Sequence, residues 1–356
     1  MMQYLEWRGD LSFSQAPFNE VDNLIFSQLA FIDYTGLIPP GKSVTLSDVA
    51  GAYFRKHLGE TISMGMIVPD AIVGLFRKAA LSERFGEVLL REYVNRVDPQ
   101  TNLQFSAVTA TLPDGSEVIA FRGTDDTIVG WKEDFNLAFR TPVPSQLEAV
   151  AYLCRIAESS TKPLRLVGHS KGGNLAIYAA VHSAPSVRNR LLDVYNNDGP
   201  GFGDDTLLCD GFQELREKIH TIVPQASLVG MLLDHDQQYR TVKSRQVGIF
   251  QHDGFSWEVL GGRFQSSEQS QETKRRNRTI HFWIRSMSPE EQEAFTEAFF
   301  RLLQTTEATT LTELFRDRRA LLKGLRAMTP EDKKMLAETV RRFREERKKS
   351  RNAVLP

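Results

Sequence analysis

One short segment limits what this chain can fold into. Leu164-Arg165-Leu166-Val167-Gly168-His169-Ser170-Lys171-Gly172-Gly173-Asn174-Leu175-Ala176 runs from a short apolar stretch, through a glycine-flanked serine, into an alanine-rich helical pattern. The triplet Gly168-x-Ser170-x-Gly172 alone is weak, because it arises by chance in about one chain in ten of this length. Its setting is what counts: a strand that turns sharply into a helix holds a serine on a strained turn above a sheet edge. Any side chain at Gly168 or Gly172 would collide where the two backbones approach. Ser170 is therefore expected as a nucleophile. The backbone N–H of Lys171, at the helix start, points where an oxyanion would form, and on this reading Lys171 contributes its backbone alone.

The surrounding pattern agrees with such a turn. From about residue 103, strand-like and helix-like segments alternate. Residues 104–110 and 117–121 read as strands joined at Pro113-Asp114-Gly115, a hairpin signal. Residues 164–167, 191–196, 219–223 and 239–243 read as extended, residues 172–182 as helix, 227–233 as a short helix and 247–250 as extended. That alternation predicts an α/β chain with a mainly parallel sheet and helices on both faces.

Flanking regions read as helical. Asn19-Glu20-Val21-Asp22 and Thr45-Leu46-Ser47-Asp48 are helix openings, and residues 71–95 carry a third helical stretch interrupted near Gly86. Ser288-Pro289-Glu290-Glu291 and Thr329-Pro330-Glu331-Asp332 open two more. The expected organisation is a helical region over 1–100 packed on the core, an α/β core over 101–286 and a helical extension over 287–356. The basic end of the last helix, Arg341 to Lys349, reads as a solvated helix terminus, with anionic lipid or nucleic acid as the other reading.

Composition narrows the function classes. There are 44 Lys and Arg against 45 Asp and Glu, so no bulk electrostatic case for nucleic acid exists. Two cysteines, Cys154 and Cys209, rule out a disulfide scaffold and a cysteine-rich metal site. No signal-like start and no span of ~18 apolar residues is visible, so no membrane span is expected and a cytoplasmic location is. The residues leave the oligomeric state open.

A second turn precedes the serine. Val118-Ile119-Ala120-Phe121-Arg122-Gly123-Thr124-Asp125-Asp126, followed by Trp131 and Asp134, is a strand delivering a Gly-Thr turn able to supply another oxyanion N–H. Residues 125–136 follow it and suit a lid. Phe121-Arg122-Gly123-Thr124 with Trp131 and Asp134, together with Gly168-His169-Ser170-Lys171-Gly172-Gly173, resembles the class 3 lipases of the α/β-hydrolase fold over roughly 100–285. A poorly characterised bacterial branch of that superfamily is similar over nearly the whole chain. Its shared segments are matched by the elbow through Ala176, by Asn196-Asn197-Asp198-Gly199-Pro200-Gly201-Phe202, by Gly230-Met231-Leu232-Leu233 and by Gln251-His252-Asp253. The resemblance implies an ester-hydrolase fold, Ser170 as nucleophile and Thr124 as oxyanion residue. It implies no particular substrate.

The base must follow Ser170 in this fold. His252, in a loop after the last expected parallel strand, is favoured. His281, in a His-x-Trp setting similar to the lipase base but opening a helical pattern, and His235 are the competitors. In class 3 lipases the acid follows the strand that is here 219–223, but Pro224-Gln225-Ala226-Ser227 holds no carboxylate. Asp198, one strand earlier, is preferred over Asp234. The expectation is a serine hydrolase of a carboxylic ester or thioester, with a small-molecule or lipid ester as substrate and no cofactor or metal required. Acyl transfer uses the same residues. The alternative is a catalytically weak binding or regulatory module on the same fold.

Overall fold

The computed structural model describes residues 1–65, 68–125, 127–137, 141–233, 235–236, 238–304 and 324–352. Eight strands form one sheet in sequence order: β1 (Val44–Thr45), β2 (Leu89–Asp98), β3 (Leu103–Thr111), β4 (Glu117–Phe121), β5 (Leu164–His169), β6 (Leu191–Asn197), β7 (Ile219–Pro224) and β8 (Arg240–Val242). Pairing is antiparallel from β1 to β4 and parallel from β4 to β8. This is the α/β-hydrolase arrangement.

The sequential order has a consequence for layering. Right-handed crossovers that always step in one direction put their helices on one face. Helices Pro144–Ser159 and Lys171–Val181 lie there, and Tyr152, Leu153, Ile156 and Leu175 cluster with Ile119, Phe121 and Leu166. Alternate strand residues point to the other face. Val118, Ala120, Val167 and Ile222 instead cluster with Leu24, Ile25 and Phe26 of helix Glu20–Leu29, and with Leu75 and Phe76 of helix Ala71–Ala80. The N-terminal helices are the second layer of the sheet.

Helix Glu20–Leu29 opens with a capping box. The Asn19 side chain accepts from the Asp22 N–H, and Asp22 accepts from the Asn19 N–H. Its inner face is polar at one place. Asn23 and Asn197 exchange amide hydrogen bonds of 3.0 and 2.9 Å, and Asn197 also donates to Gly168 O at 2.9 Å. The helix is thereby joined to the ends of β5 and β6.

Several expectations need correction. Residues 71–95 are not one helical stretch: helix Ala71–Ala80 ends well before β2, which pairs with β3. Tertiary pairing with β3 decides what its own pattern does not. The boundary expected at 100/101 falls inside the β2–β3 hairpin, so the sheet begins within the region read as helical. Residues 248–252 form a 3₁₀ turn, Gly248–His252, where an extended run was expected. The terminal helices are Gln271–Arg285, Pro289–Gln304 and Pro330–Asn352. Ser288 and Thr329 accept from the N–H groups of Glu291 and Asp332, at 3.3 and 3.1 Å, so both openings cap as read. Among the described residues, no helix is long and apolar enough to cross a membrane.

If the N-terminal helices are a layer of the core, Leu24→Ala should cost ~2–5 kcal/mol, the range for a buried leucine. Urea denaturation measures this. A loss below about 1 kcal/mol would mark the helix as a detachable appendage.

Candidate functional site

The elbow is built from three backbones in contact. A Cβ at Gly168 would lie 2.1 Å from the backbone of Gly172, and one at Gly172 would lie 2.1 Å from Phe121 O. Strand β5, its neighbour β4 and the helix Lys171–Val181 pack backbone to backbone. The turn between them places Ser170 at φ 58°, ψ −135°, outside the ordinary regions for a non-glycine residue. Ser170 N donates to Asn197 O at 2.9 Å, which fixes the turn against β6. The serine is half-buried.

His252 closes the 3₁₀ turn Gly248–His252. Its Nδ1 lies 2.7 Å from Asp198 Oδ2, and its side chain is 25% exposed whereas that of Asp198 is fully buried. The ring is held from below. His169 Nε2 donates to His252 O at 2.8 Å, and the two rings stand 4.6 Å apart. Burial, then the neighbouring His252, push the His169 imidazole down to about 3, so it stays neutral. The loop is braced further by Trp257 Nε1, which donates to Gln251 O at 2.9 Å, and by Gln251 Oε1, which accepts from Ala226 N at 2.7 Å. Among the described residues neither Ser170 Oγ nor His252 Nε2 makes a hydrogen bond. Such contacts commonly tighten only in the substrate complex.

Asp198 sits at the end of β6 with φ 52°. Its Oδ1 accepts from Ser227 Oγ. Ser227 belongs to the stretch after β7 that holds no carboxylate, so that stretch supports the Asp198 side chain. Sequence reading missed Ser227, because a serine among Pro, Gln and Ala carries no signal of its own. His235 is buried and donates to Gly230 O. His281 lies within helix Gln271–Arg285, beside Phe282. Asp234 lies outside the described residues.

The Gly123-Thr124 turn abuts the elbow: a Cβ at Gly123 would lie 2.5 Å from His169 O and 3.2 Å from the Ser170 Cβ. Thr124 Oγ1 donates to Asp134 Oδ2, while Asp134 Oδ1 is buried with no hydrogen-bond partner among the described residues. Desolvation pushes the Asp134 carboxyl up to about 6, against the opposing pull of Lys171 and the Thr124 hydrogen bond.

Lys171 has a side-chain setting that the sequence does not announce. Its side chain is 1% exposed, and Nζ donates to Gln104 O at 2.8 Å and to Glu133 Oε2 at 2.9 Å. Glu133, itself fully buried, also accepts from Gln104 N at 3.1 Å and Ser145 N at 2.8 Å. The side chain thus has a structural partner, which leaves the backbone N–H as the group expected to face an oxyanion. A buried ammonium needs a buried anion, and the anion here lies 38 residues away. Glu133 and Asp134 are consecutive on helix Ile128–Leu137, the segment expected as a lid. Its outer side is covered too. Ile128, Trp131 and Phe135 pack on Phe299, Phe300 and Leu303, and Lys132 pairs with Glu297 at 2.8 Å. The segment is fastened from both sides.

Two measurements follow from these buried charges. Lys171→Met should cost ~3–5 kcal/mol by urea denaturation, because Glu133 is left unpaired. Adding Glu133→Gln should recover part of that loss; equal losses would mean the pair is not buried as a pair. The folded-state carboxyl of Asp134 is raised, so wild type loses stability as pH climbs from its unfolded value near 4 through about 6. Relative to wild type, Asp134→Asn should gain up to about 3 kcal/mol between roughly pH 4 and pH 8. A difference that does not change with pH would contradict the burial of an ionised carboxyl there.

Comparison with solved structures returns lipases. A lipase–propeptide complex of Rhizomucor miehei aligns at 15% identity with a TM-score of 0.36, covering 64% of this chain and 68% of that one. The M37 lipase aligns at 14% identity with a TM-score of 0.37, covering 60% and 69%. No curated protein matches. The Mbeg1-like family model matches residues 79–301, a span that carries β2 to β8 and every site residue described above, and the chain belongs to the Mbeg1-like family.

Proposed function

We propose that this protein is a serine hydrolase of carboxylic esters or thioesters that works through an acyl-enzyme on Ser170. The observation that carries this reading is the 2.7 Å contact between His252 Nδ1 and the buried Asp198 carboxylate, on a loop tied to His169, the residue before a serine at positive φ. A carboxylate on Nδ1 selects the tautomer whose Nε2 is free to accept a proton. Ser170 Oγ attacks the carbonyl carbon as His252 Nε2 takes its proton. The negative charge that develops on the carbonyl oxygen is met by the N–H of Lys171, which has no intrahelical acceptor at the first helical position, and by that of Thr124. Collapse expels the alcohol or thiol, protonated by His252. Water, deprotonated in turn by His252, then releases the acid. Asp198 stabilises the imidazolium at both stages. No step calls for a metal or an organic cofactor, and two free cysteines suit the cytoplasmic location that belongs to this reading.

The binding-module alternative drew on the missing carboxylate after β7. Ser227 donating from that stretch to Asp198 favours an acid carried one strand earlier instead.

Ser170→Ala should abolish turnover of an activated ester and labelling by a fluorophosphonate probe, with circular dichroism unchanged. His252→Ala and Asp198→Asn should each lower kcat by ~10³-fold or more, and their double variant should be little worse than His252→Ala. Thr124→Ala should lose less than the ~10²–10³ of a side-chain oxyanion donor, because its N–H remains. His281→Ala should keep most activity. Full labelling of Ser170→Ala, or an active His252→Ala beside an inactive His281→Ala, would overturn the assignment.

A further inference from the structure

Cations are unevenly spread over this chain. Helix Gln271–Arg285 carries five Lys and Arg against one carboxylate, and Pro330–Asn352 carries nine against five, although the whole chain has a formal net charge of −1. The two helices lie together: the Trp283 and Phe343 rings meet edge to face at 5.4 Å, and Trp283 Nε1 donates to Thr339 O at 3.2 Å. Where they reach the base loop, Arg275, Arg276, Phe343 and Arg347 share a cleft of about 970 Å³ with Val247 and Gly248. Glu268 and Glu272 also line it. Arg275 and Arg347 are exposed, and among the described residues neither is in an ion pair. Arg276 donates to Ala226 O at 2.7 Å and Ser227 O at 3.3 Å, yet its Nε is buried without a partner.

The other wall of this cleft leads to an apolar tip. Val247, Ile249 and Phe250 are 75%, 60% and 66% exposed, and the last two belong to the 3₁₀ turn that ends at His252. Three large apolar side chains held in water beside unpaired guanidinium groups match a surface with an apolar interior and a dense negative boundary. A nucleic acid would answer the cations and leave the tip in water.

We propose that the base-loop tip and the adjoining cationic cleft dock this protein on an anionic lipid bilayer. Val247, Ile249 and Phe250 enter the acyl boundary, while Arg275 and Arg347 meet headgroup phosphates. This docking stands apart from the hydrolase reading, so Ser170→Ala should bind membranes as wild type does.

The test is co-sedimentation of the full chain with vesicles of phosphatidylcholine alone, or of phosphatidylcholine mixed with phosphatidylglycerol. Wild type and Ser170→Ala should sediment with the mixed vesicles only, and less at higher salt. Ile249→Ser with Phe250→Ser should lower the partition coefficient at least ~10-fold. Arg275→Ala with Arg347→Ala should lower it by roughly 25-fold, about fivefold per cation. Circular dichroism checks that both variants fold. Equal binding to neutral vesicles, or a tip variant that binds as wild type does, would overturn the proposal. So would failure to bind either vesicle, whether or not the chain binds a DNA duplex.

Discussion

The contact of three backbones at Gly168, Gly172 and Phe121 sets the terms for everything around it. With no room for a Cβ at either glycine, β5 can pass into its helix only through a residue at positive φ, and that residue is Ser170. The following residue must then start a helix packed between β4 and helix Pro144–Ser159. Its side chain has nowhere to go but inward. A lysine there is tolerable only because Glu133 answers it. Glu133 in turn fixes helix Ile128–Leu137, and the next residue, Asp134, holds the Thr124 hydroxyl. One helix thus reaches both residues proposed to donate to an oxyanion, through two consecutive carboxylates. The placing of these two proposed donors is inherited from the packing of the elbow.

The position of the proposed acid, Asp198, shows how loosely such a site is tied to one strand. β6 and β7 are parallel neighbours, ~4.8 Å apart, and their C-terminal ends open on the same edge. A carboxylate from either can reach an imidazole above that edge if the backbone after the strand bends suitably. Asp198 does so at φ 52°, while the segment after β7 supplies a hydroxyl in place of an acid.

Much of this was legible in the residues. Strands 164–169, 191–197 and 219–224 carry apolar runs bounded by turns, and the capped openings at Ser288 and Thr329 need only four residues to be read. The elbow was readable because strand, glycines and helix are contiguous. What was not readable depends on partners distant in the chain. Lys171 looks like an ordinary surface lysine until Gln104 and Glu133 are folded around it. The strand Leu89–Asp98 mixes charged and apolar residues without strict alternation, and its pairing, chiefly with β3, makes it a strand. The segment 125–136 reads as a lid because nothing local announces Phe299 and Phe300, more than 150 residues later, as its cover.

The amide pair between Asn23 and Asn197 spans 174 residues of chain. Synthesis runs from the N-terminus, so helix Glu20–Leu29 leaves the ribosome long before the strand ends that complete it. Until β5 to β7 exist, Leu24, Ile25 and Phe26 can meet β4 but not Val167 or Ile222, and Asn23 has no Asn197 to meet. The nascent chain carries that face only partly covered while the 174 residues between the two amides are added, a period in which chains are open to aggregation and to chaperones. A layer made before the strands it joins completes its fit beneath the proposed nucleophile turn only when Asn197 arrives to link it to Gly168.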